Sequence, residues 1–533
     1  MRENETVDVV VIGGGMAGLA AALAARRRNF TVALLEKADR LGGSTSYSWG
    51  FLWVAPNHLA RAAGEHDDDA SIRAYLEFLA GGQGDAMRME AFISRAPEAL
   101  RFFEECGIEF QLVRSFTDHY FGVAPGARKF GRTLETSLVC GDELGAWRDK
   151  ILVPPAPYRV NGDEMVAWGG MNNAIHWPTA TMSERSRRDM RGLGVGIVSH
   201  FLKALIKQGG APRLGCGVRR LIVEAGRVAG VETAEGQRIM ARKGVVIASG
   251  GYESNAKLVD MFEGLPGWQS QFPATLTGDG LLMAQEIGAA VRVLRANMTF
   301  FLGYTVPGDP PFFRLAGIIE LFSPHTVVVN RAGQRFADEA YFQNMVPALL
   351  KFDPATHRYP NLPCFLIFDQ QFVENHSVAG QAAGTPVPDW IARGETLDEL
   401  ARKLGIDSSG MHVTIERFNQ FARAGRDEDF HRGESAWNLA KESGRETKRS
   451  LGTLERPPFY GLELHPSAVS SAGIAADEHG RAHHVRGEPI PGLYVSGNAA
   501  ARTEYGAGYQ LGHSLTAAMT FSYLAVRHME ETQ

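Results

Sequence analysis

The stretch VDVVVIGGGMAGLAAALAARRRNFTVALLEKADRLGGST, residues 7–45, decides the fold of this chain. It begins with a β-branched run, Val7–Ile12, and a G-x-G-x-x-G motif formed by Gly13, Gly15 and Gly18. An Ala-rich segment, Leu19–Arg28, follows, and then a second apolar run, Thr31–Leu35, which ends at the acidic residue Glu36. The two apolar runs predict buried parallel strands, and the Ala-rich segment between them favours a helix. This order is typical of a dinucleotide-binding βαβ unit.

Each of these residues has a physical role in such a unit. Gly13 allows the tight turn, Gly15 lets the backbone approach a pyrophosphate, and Gly18 lets the helix pack on the strand. The helix N-terminus offers free N–H groups and a positive dipole end to the phosphates. Glu36 is suited to the ribose hydroxyls and repels a 2′-phosphate. The motif by itself is compatible with both FAD and NAD.

A second glycine-rich turn, Leu41–Thr45, follows Glu36 closely and favours FAD, because a turn at this place meets the same pyrophosphate and the ribityl chain. The turn resembles the GG(S/T)(S/T) segment of the fumarate reductase and 3-ketosteroid dehydrogenase superfamily, in which some members attach FAD to a nearby histidine. Since residues 44–50 contain no histidine, the resemblance implies non-covalent FAD.

Composition argues against several other classes of protein. The net charge of the 533-residue chain is −5 and its pI is about 6.4, so its overall charge does not support nucleic-acid binding. Its four cysteines form no C-x-x-C pair, which argues against a metal site. No basic-then-apolar leader precedes the first strand, and no apolar run approaches the length of a membrane span. We therefore expect a cytoplasmic protein without a transmembrane segment or a metal.

Three later segments resemble FAD-contacting segments of the same superfamily. Lys243–Tyr252 is similar to VVLATGGF, Thr277–Gly280 contains GDG, and Ile490–Asn498 is similar to IPGLYAAGN. The resemblance implies a set of cofactor-binding residues: Gly13, Gly15, Met16, Ala17, Gly18, Glu36, Lys37, Gly42, Gly43, Ser44, Thr45, Val218, Ser249, Gly250, Gly251, Asp279, Gly497, Asn498, Ser514 and Leu515.

The chain changes character after residue 290, where aromatic and Pro-rich segments alternate with short apolar runs. We therefore predict an α/β fold with two domains. A Rossmann-like FAD-binding domain, a parallel sheet with helices, comprises residues 1–290 and 452–533. An inserted α+β substrate domain comprises residues 291–451.

From Ile391 onward the sequence is similar to 3-ketosteroid dehydrogenases in particular. Arg417–Ser435 reproduces RFN..A..G.D.DF.RG.S, Pro457–Tyr460 matches the start of PPFYA, and Ala518–Ala525 resembles AMTFGYLA. This family removes a proton beside a ketone and passes a hydride from the adjacent carbon to flavin N5, using an oxyanion hole and a phenolic base. The resemblance implies an FAD-dependent dehydrogenase acting on a small-molecule ketone, with an external electron acceptor that the sequence leaves open.

The family's first two active-site tyrosines are matched unequally. Tyr120, within Asp118–Gly126, falls on the first of them; the alternative is a tyrosine packed in a loop with its hydroxyl bonded. The second tyrosine is the family's base and is the last residue of its NESAPY motif. The matching segment here is Asp338–Gln343, which has Gln343 at that place and Tyr341 two positions earlier. Tyr341 either serves as the base from a shifted loop or packs in the interior.

The third active-site tyrosine is displaced as well. Gly508–Thr516 corresponds to YPGPGATIG, which puts Tyr509 one place late and keeps Gly512 as the oxyanion-hole glycine. Tyr505 is a second candidate. Tyr509–Leu515 also resembles the Y-x-S-G-x-S-L pattern of 4,5-dehydrogenating ketosteroid enzymes, with Leu511 in place of the first serine. The substrate, or the bond that is desaturated, is therefore open.

Three functions compete. The sequence favours a ketone dehydrogenase acting on a steroid, a smaller cyclic ketone or an oxo-acid, for which Arg314 and Arg502 are candidate carboxylate partners unless they are solvated or paired in the core. A fumarate-reductase-type enoate reductase is disfavoured, because Ala468–Gly473 lacks the HTMGG motif and no arginine follows Glu339 before Arg358. A flavoprotein without small-molecule turnover is disfavoured by the aromatic insert and the acidic net charge.

Overall fold

The structure is a computed structural model that describes residues 5–155, 158–295, 297, 299, 301–308, 311–316, 320–441 and 450–532. The strands are β1 Glu5–Ile12, β2 Val32–Leu35, β3 Leu52–Trp53, β4 Phe110–Leu112, β5 Thr133–Thr136, β6 Val139–Cys140, β7 Met190–Arg191, β8 Val218–Glu224, β9 Arg227–Thr233, β10 Arg238–Ile247, β11 Val291–Val293, β12 Phe301–Val306, β13 Phe312–Leu315, β14 Thr326–Asn330, β15 Cys364–Asp369, β16 Ala392–Gly394, β17 Phe459–Ser467, β18 Ala472–Ile474, β19 Arg481–His483 and β20 Pro489–Val495. The α-helices are α1 Met16–Arg27, α2 Gly43–Ser46, α3 His58–Ala62, α4 Asp69–Ala80, α5 Ala86–Glu105, α6 Gly162–Ala167, α7 Thr179–Arg187, α8 Leu193–Lys207, α9 Ala256–Phe262, α10 Asp279–Glu286, α11 Phe342–Leu349, α12 Gln370–Asn375, α13 Leu397–Leu404, α14 Ser408–Ala424, α15 Ala436–Lys441 and α16 His513–Glu531.

The first sheet is built around four parallel strands in the order β2, β1, β10 and β20, with antiparallel β19 beside β20 and the hairpin β8–β9 paired to β10. Val10 of β1 stands opposite Ala33 on one side and Val245 on the other. The helix α1 packs against this sheet and against α8 and α16, and most of its residues are buried. The predicted Rossmann-like fold is confirmed.

Gly13 and Gly18 fix the contact between β1 and α1. Gly13 has a φ of +106°, and a Cβ placed there would lie 2.4 Å from the carbonyl oxygen of Ala248. A Cβ at Gly18 would lie 1.8 Å from the carbonyl oxygen of Gly13. Both positions therefore require glycine for the fold itself, whether or not a cofactor is bound.

The second sheet is antiparallel and has the order β13, β12, β17, β15 and β14, with β16 paired to β17. The predicted insert ends at residue 451, but β17 lies at the centre of this sheet, where it pairs with β12, β15 and β16, and its residues are buried against cores on both faces. We propose that the insert extends to Ser467, the end of β17. The rest of the division into two domains stays a prediction.

A small antiparallel sheet of β3, β5 and β4 ties the segment before Tyr120 to α16. The backbone N–H of Trp53 donates to Thr516 Oγ1 at 2.8 Å, and its indole N–H donates to Asp118 Oδ1 at 2.8 Å. Arg132 donates to the other carboxylate oxygen of Asp118 at 2.9 Å. Asp118 is thus fixed from two sides, which positions the loop that carries Tyr120.

Among the residues with described coordinates, no helix has the length and apolar character needed to cross a bilayer. In the same part of the chain, no group of three or more His, Cys, Asp or Glu side chains is arranged to hold a metal ion.

Candidate active site

A cleft of about 1580 Å³, open solvent included, runs along the carboxyl ends of the parallel strands. This is the edge at which ligands bind in open α/β sheets. Most of the predicted cofactor residues line it: Gly13, Gly15, Met16, Ala17, Glu36, Lys37, Gly43, Ser44, Thr45, Val218, Ser249, Gly250, Asp279, Gly497, Asn498, Ser514 and Leu515.

The N-terminus of α1 and the second glycine turn form one end of the cleft. The N–H of Gly14 donates to Glu36 Oε2 at 2.7 Å, and the N–H of Met16 donates to Thr45 Oγ1 at 3.1 Å. A Cβ at Gly15 would lie 3.5 Å from its nearest neighbours, and a Cβ at Gly43 would meet nothing within 4 Å. The two turns therefore form an open cradle at a helix N-terminus, which fits a pyrophosphate.

Charged side chains mark the next part of the cleft. Glu36 is largely buried, and burial raises the pKa of its carboxyl although the N–H groups of Ala38 and Gly14 donate to it. Each of its oxygens has a lone pair beyond the one used by the backbone, which suits ribose hydroxyls. Lys37 donates to Asp279 Oδ2 at 2.7 Å and joins the end of β2 to the start of α10.

Three predicted cofactor residues do not line the cleft, namely Gly18, Gly42 and Gly251. Gly18 lies between α1 and β1. Gly42 has a φ of +119°, and a Cβ there would lie 2.1 Å from Ser46 Oγ. A Cβ at Gly251 would lie 2.0 Å from Ser470 Oγ. The structure therefore shows a packing role for each of these glycines, and their contact with the cofactor stays a prediction.

Tyr509 and Gly512 lie at the far end of the cleft, beside the start of α16. The ring of Tyr509 is edge-on to Phe301 at 5.4 Å and to His119 at 4.8 Å between centroids. Burial, and then Tyr505 and Tyr120, raise the pKa of the Tyr509 phenol, so the phenol is neutral at neutral pH and can donate its proton in a hydrogen bond.

Gly512 is the N-cap of α16 and has a φ of +92°. Its N–H has no acceptor among the residues that the structure describes, and the helix dipole favours negative charge at this point. A Cβ at Gly512 would lie 2.6 Å from the backbone carbon of Leu52. Glycine is thus required here by the packing of α16 on β3, whether or not a substrate approaches its backbone.

Tyr120 and Tyr341 do not line the cleft. The hydroxyl of Tyr120 lies within hydrogen-bonding reach of the backbone of Tyr509, and its ring packs edge-on to Phe78 at 5.5 Å. Burial raises the pKa of Tyr120 to about 12. Tyr341 donates to the backbone carbonyl of His119 at 2.9 Å, and burial and then Tyr120 raise the pKa of its phenol. Both phenols therefore stand immediately behind Tyr509.

Tyr505 lies on the other side of the same loop. Its hydroxyl is 3.2 Å from Ser514 Oγ, and its ring packs on His513 at 4.5 Å. It does not line the cleft itself, whereas Ser514 does. The structure thus groups the four predicted tyrosines around one loop and places only Tyr509 on the cleft wall.

Gln510 is a functional candidate that the sequence analysis missed. Its Oε1 accepts a hydrogen bond of 2.5 Å from the Tyr75 hydroxyl and one of 2.9 Å from the His119 N–H. The same residue lines the cleft. Gln510 therefore joins the loop of Tyr120 to the loop of Tyr509, and its position inside the Gly508–Thr516 motif was the signal that could have identified it.

A second cavity of about 1350 Å³ shares Tyr47, Ser48, Trp49, Gln271 and Leu315 with the first. Most of its wall comes from apolar residues, and Arg314 also lines it. Because the two cavities share walls, the second one lies directly beside the cofactor cleft.

Comparisons with known proteins identify the class. Residues 8–514 match the family described as FAD binding domain. Curated relatives include the 4-oxocyclohexanecarboxylate 2-dehydrogenase of Sinomonas cyclohexanicum, 36% identical over 98% of this chain and 93% of its own length. They also include the 3-oxosteroid 1-dehydrogenase of Mycobacterium tuberculosis (strain ATCC 25618 / H37Rv), 32% identical over 98% of both chains.

Among solved structures, the 3-ketosteroid delta1-dehydrogenase from Sterolibacterium denitrificans has a TM-score of 0.87 at 24% identity, over 99% of this chain and 100% of its own, which shows the common fold. The chain therefore belongs to the FAD-binding flavoprotein family, and within it to the branch of the 3-ketosteroid dehydrogenases in the fumarate reductase superfamily. Its cofactor is FAD.

Proposed function

We propose that this chain is an FAD-dependent dehydrogenase that introduces a C=C bond next to the ketone of a small cyclic molecule. The observation that carries the proposal is that two residues with hydrogen-bond donors, Tyr509 with its phenol and Gly512 with its N–H, both line the FAD cleft. Curated relatives support the reaction class, since they are dehydrogenases named for a 3-oxosteroid and for 4-oxocyclohexanecarboxylate.

The residues that line the cleft would hold FAD. The backbone at Gly15 and Gly43 would receive the pyrophosphate, Glu36 would receive the ribose hydroxyls, and residues of the first turn of α16 would line the rest of the site. We propose that binding is non-covalent, because residues 44–50 contain no histidine. When bound, FAD supplies the acceptor for the hydride that leaves the substrate.

Tyr509 and Gly512 stabilise the charge that develops on the ketone oxygen. Removal of a proton beside the ketone leaves negative charge on that oxygen, and a neutral phenol and a backbone N–H are both donors to it. Removal of one such donor typically costs about 3 kcal/mol of transition-state stabilisation.

We propose Tyr341 as the proton acceptor, a role that requires its hydroxyl, which is bonded to the His119 carbonyl behind the cleft wall, to turn toward the substrate when the cleft is occupied. The resemblance places the base in this segment, and Tyr341 is close enough to Tyr120 for the two phenols to influence each other electrostatically. Burial raises the pKa of the Tyr341 phenol, so little of it is ionised at neutral pH, and the reactive phenolate fraction grows as the pH rises toward that pKa. Tyr120, which contacts the backbone of Tyr509, is proposed to position that residue.

The two relatives differ in substrate, since one is named for a steroid and the other for a single ring that carries a carboxylate. We therefore propose two alternatives for this chain, a role in steroid metabolism and a role in the metabolism of a smaller cyclic ketone. A cytoplasmic location is also proposed. It is supported by four cysteines that are all free thiols, as is typical of a reducing compartment.

An anaerobic titration tests the function. The purified flavoprotein is mixed with saturated cyclic ketones, and its visible absorbance is followed. Bleaching by a saturated ketone, together with an unsaturated product two mass units lighter, is the expected result. Failure of every saturated ketone to bleach the flavin, with reoxidation of reduced enzyme by an unsaturated carboxylate, would instead establish the enoate reductase.

A further inference from the structure

We propose that Tyr47, Trp49 and Gln271 form an uncharged polar subsite that binds a second oxygen of the substrate, a hydroxyl or a carbonyl distinct from the reacting ketone. This inference rests on the proposed function and adds to it the chemical class of the group that extends from the cofactor cleft into the second cavity. The substrate is then a cyclic ketone with two uncharged oxygen functions.

The three side chains stand at the junction of the two cavities. Each lines both the cofactor cleft and the second cavity of about 1350 Å³, and each is half-buried. Tyr509 and Gly512, which are proposed to hold the reacting ketone, line only the cleft. A substrate that reaches from those two residues into the second cavity therefore passes the junction with a different part of its structure.

The polar groups of the junction are unused and reachable. The Tyr47 hydroxyl, the Trp49 indole N–H and the Gln271 side-chain amide have no hydrogen-bond partner among the residues that the structure describes. They are also absent from the unpartnered side-chain atoms that are sealed from solvent. Burial raises the pKa of the Tyr47 phenol, so this group is neutral at neutral pH. Phenol and amide both donate and accept, and the indole donates, so together they suit a hydroxyl or a carbonyl.

The segments that carry these side chains are fixed by other contacts. Ser48 uses its hydroxyl inside the turn, since its Oγ donates to Thr45 O at 2.7 Å and accepts the Gly50 N–H at 3.1 Å. The backbone N–H of Gln271 donates to Ser467 Oγ, at the end of β17, at 3.1 Å. A ligand therefore meets groups that are already in place, which lowers the entropy cost of binding.

The charges around the junction favour a neutral group. Among the described residues that line either cavity, the charged side chains are Glu36, Lys37, Asp279 and Arg314. Lys37 is paired with Asp279, and Glu36 accepts backbone N–H groups at the end of β2. Arg314 Nε donates to Glu320 at 2.8 Å, so its charge is balanced within the core. A carboxylate at the junction would lack a free counter-charge, whereas a hydroxyl or a carbonyl needs none.

Arg502, the other arginine considered in the sequence analysis, does not change this balance. It is 4% exposed, it lines neither cavity, and its Nη2 donates to Asn297 Oδ1 at 3.1 Å. Its Nε and Nη1 have no partner in the described part of the chain, but both are sealed from solvent. Neither arginine thus offers a free cation to a ligand in the cavities.

The kinetic test compares matched ketones of two sizes. One pair is 4-hydroxycyclohexanone and 4-methylcyclohexanone, and the other is 5α-androstane-3,17-dione and 5α-androstan-3-one; only the first member of each pair has a second oxygen. In the pair that the enzyme oxidises better, we expect kcat/KM to be about tenfold higher for the first member, the contribution of one neutral hydrogen bond. 4-Oxocyclohexanecarboxylate should be a poorer substrate than 4-hydroxycyclohexanone.

Tyr47→Phe and Gln271→Leu test the subsite itself. Each should reduce the preference for the second oxygen to about threefold, and the double variant should reduce it to about one, mainly through a higher KM for the ketone with two oxygens. Tyr158→Phe is the matched control, because Tyr158 lines only the second cavity, and it should keep the full preference. FAD content and the ligand-free flavin spectrum should stay the same in all variants. A loss of FAD from either junction variant would assign these groups to the cofactor and overturn the proposal.

A binding test without turnover separates this inference from the proposed function. Cyclohexanol and 5α-androstan-17β-ol carry an uncharged oxygen but no ketone. We expect at least one of them to raise the melting temperature of the FAD-loaded protein, and the shift should disappear in the double variant of Tyr47 and Gln271. Cyclohexanecarboxylate should give no shift.

The proposal is overturned if both members of the oxidised pair react equally well, if the carboxylate is preferred to 4-hydroxycyclohexanone, or if Tyr158→Phe lowers the preference as much as the junction variants do. If no ketone bleaches the flavin but an alcohol binds through Tyr47 and Gln271, the proposed reaction fails and the subsite stands. If ketones bleach the flavin and neither alcohol binds, the reaction stands and this inference fails.

Discussion

The hydroxyl of Tyr341 donates a hydrogen bond of 2.9 Å to the backbone carbonyl of His119. This contact joins the insert to the loop of Tyr120, and Gln510 joins the same loop to Tyr509 by accepting the N–H of His119. The phenols from three distant parts of the sequence are therefore held as one unit beside the cleft. A change in any of these loops is expected to alter the reaction more than the binding of FAD.

Tyr341→Phe should reduce the rate of flavin reduction by roughly a hundredfold, the usual contribution of a positioned general base. FAD content should not change, because Tyr341 does not line the cofactor cleft. Stopped-flow absorbance under anaerobic conditions measures the rate, and Tyr120→Phe, which removes a positioning hydroxyl, should have the smaller effect. An unchanged rate in Tyr341→Phe would show that Tyr341 only packs against Trp437.

The rate of flavin reduction should rise with pH between about 6 and 10. Burial and then Tyr120 raise the pKa of the Tyr341 phenol above its ordinary value, so the ionised fraction increases about tenfold for each pH unit in this range. The dependence should be lost in Tyr341→Phe. A rate that falls as the pH rises would point to a protonated group as the participant and contradict the assignment of the base.

The cofactor-binding half of the fold could be predicted from the sequence, because each of its glycines is needed for a contact within a short stretch of chain. Gly13 and Gly18 are recognisable from spacing alone, and the structure shows the close backbone approaches that need them. The place of β17 in the second sheet could not be predicted, since it depends on pairing with β12 and β15, which lie about 100 or more residues earlier in the chain.

The catalytic half was harder to predict, because its geometry depends on contacts between loops. Motif spacing identified Tyr509 on the cleft wall, but it could not show that Tyr120 reaches only the backbone of Tyr509. Nor could it distinguish Arg314 from Arg502, since the difference is a buried partner, Glu320, supplied by the fold. Side-chain pairing of this kind leaves no periodic pattern in a sequence.

Gly15→Val should lower the FAD content of the purified protein while the ligand-free fold persists. A Cβ at Gly15 would make only ordinary contacts, 3.5 Å from Gly42 O and Thr45 Oγ1, so the added bulk enters the space of the pyrophosphate. Gly13→Val is the matched comparison and should unfold the protein, because its Cβ would lie 2.4 Å from Ala248 O. Absorbance at the flavin bands measures the FAD content, and circular dichroism measures the folding of both variants. Full FAD content in Gly15→Val would show that the pyrophosphate binds elsewhere.

Arg335→Met should destabilise the insert by about 3–5 kcal/mol, because it leaves buried Glu339 and Asp427 without their shared cation. Arg417→Met is the control, since the Arg417–Asp429 pair is largely exposed and such pairs contribute about 0–1 kcal/mol. Urea unfolding followed by circular dichroism compares the two variants. Equal stability in both would mean that the buried cluster is as replaceable as a surface pair.

Tyr509→Phe should lower turnover by roughly a hundredfold with little change in the flavin spectrum, because one of two donors to the developing negative charge is lost. The ring would keep its edge-on contacts with Phe301 and His119, so the cleft wall should remain in place. Tyr505→Phe is the matched control. It removes a hydroxyl that contacts Ser514 behind the wall, and it should have a smaller effect. Single-turnover flavin reduction by a saturated ketone measures both variants. The reverse ranking would move the oxyanion role to Tyr505, and two unimpaired variants would show that this loop does not stabilise the enolate.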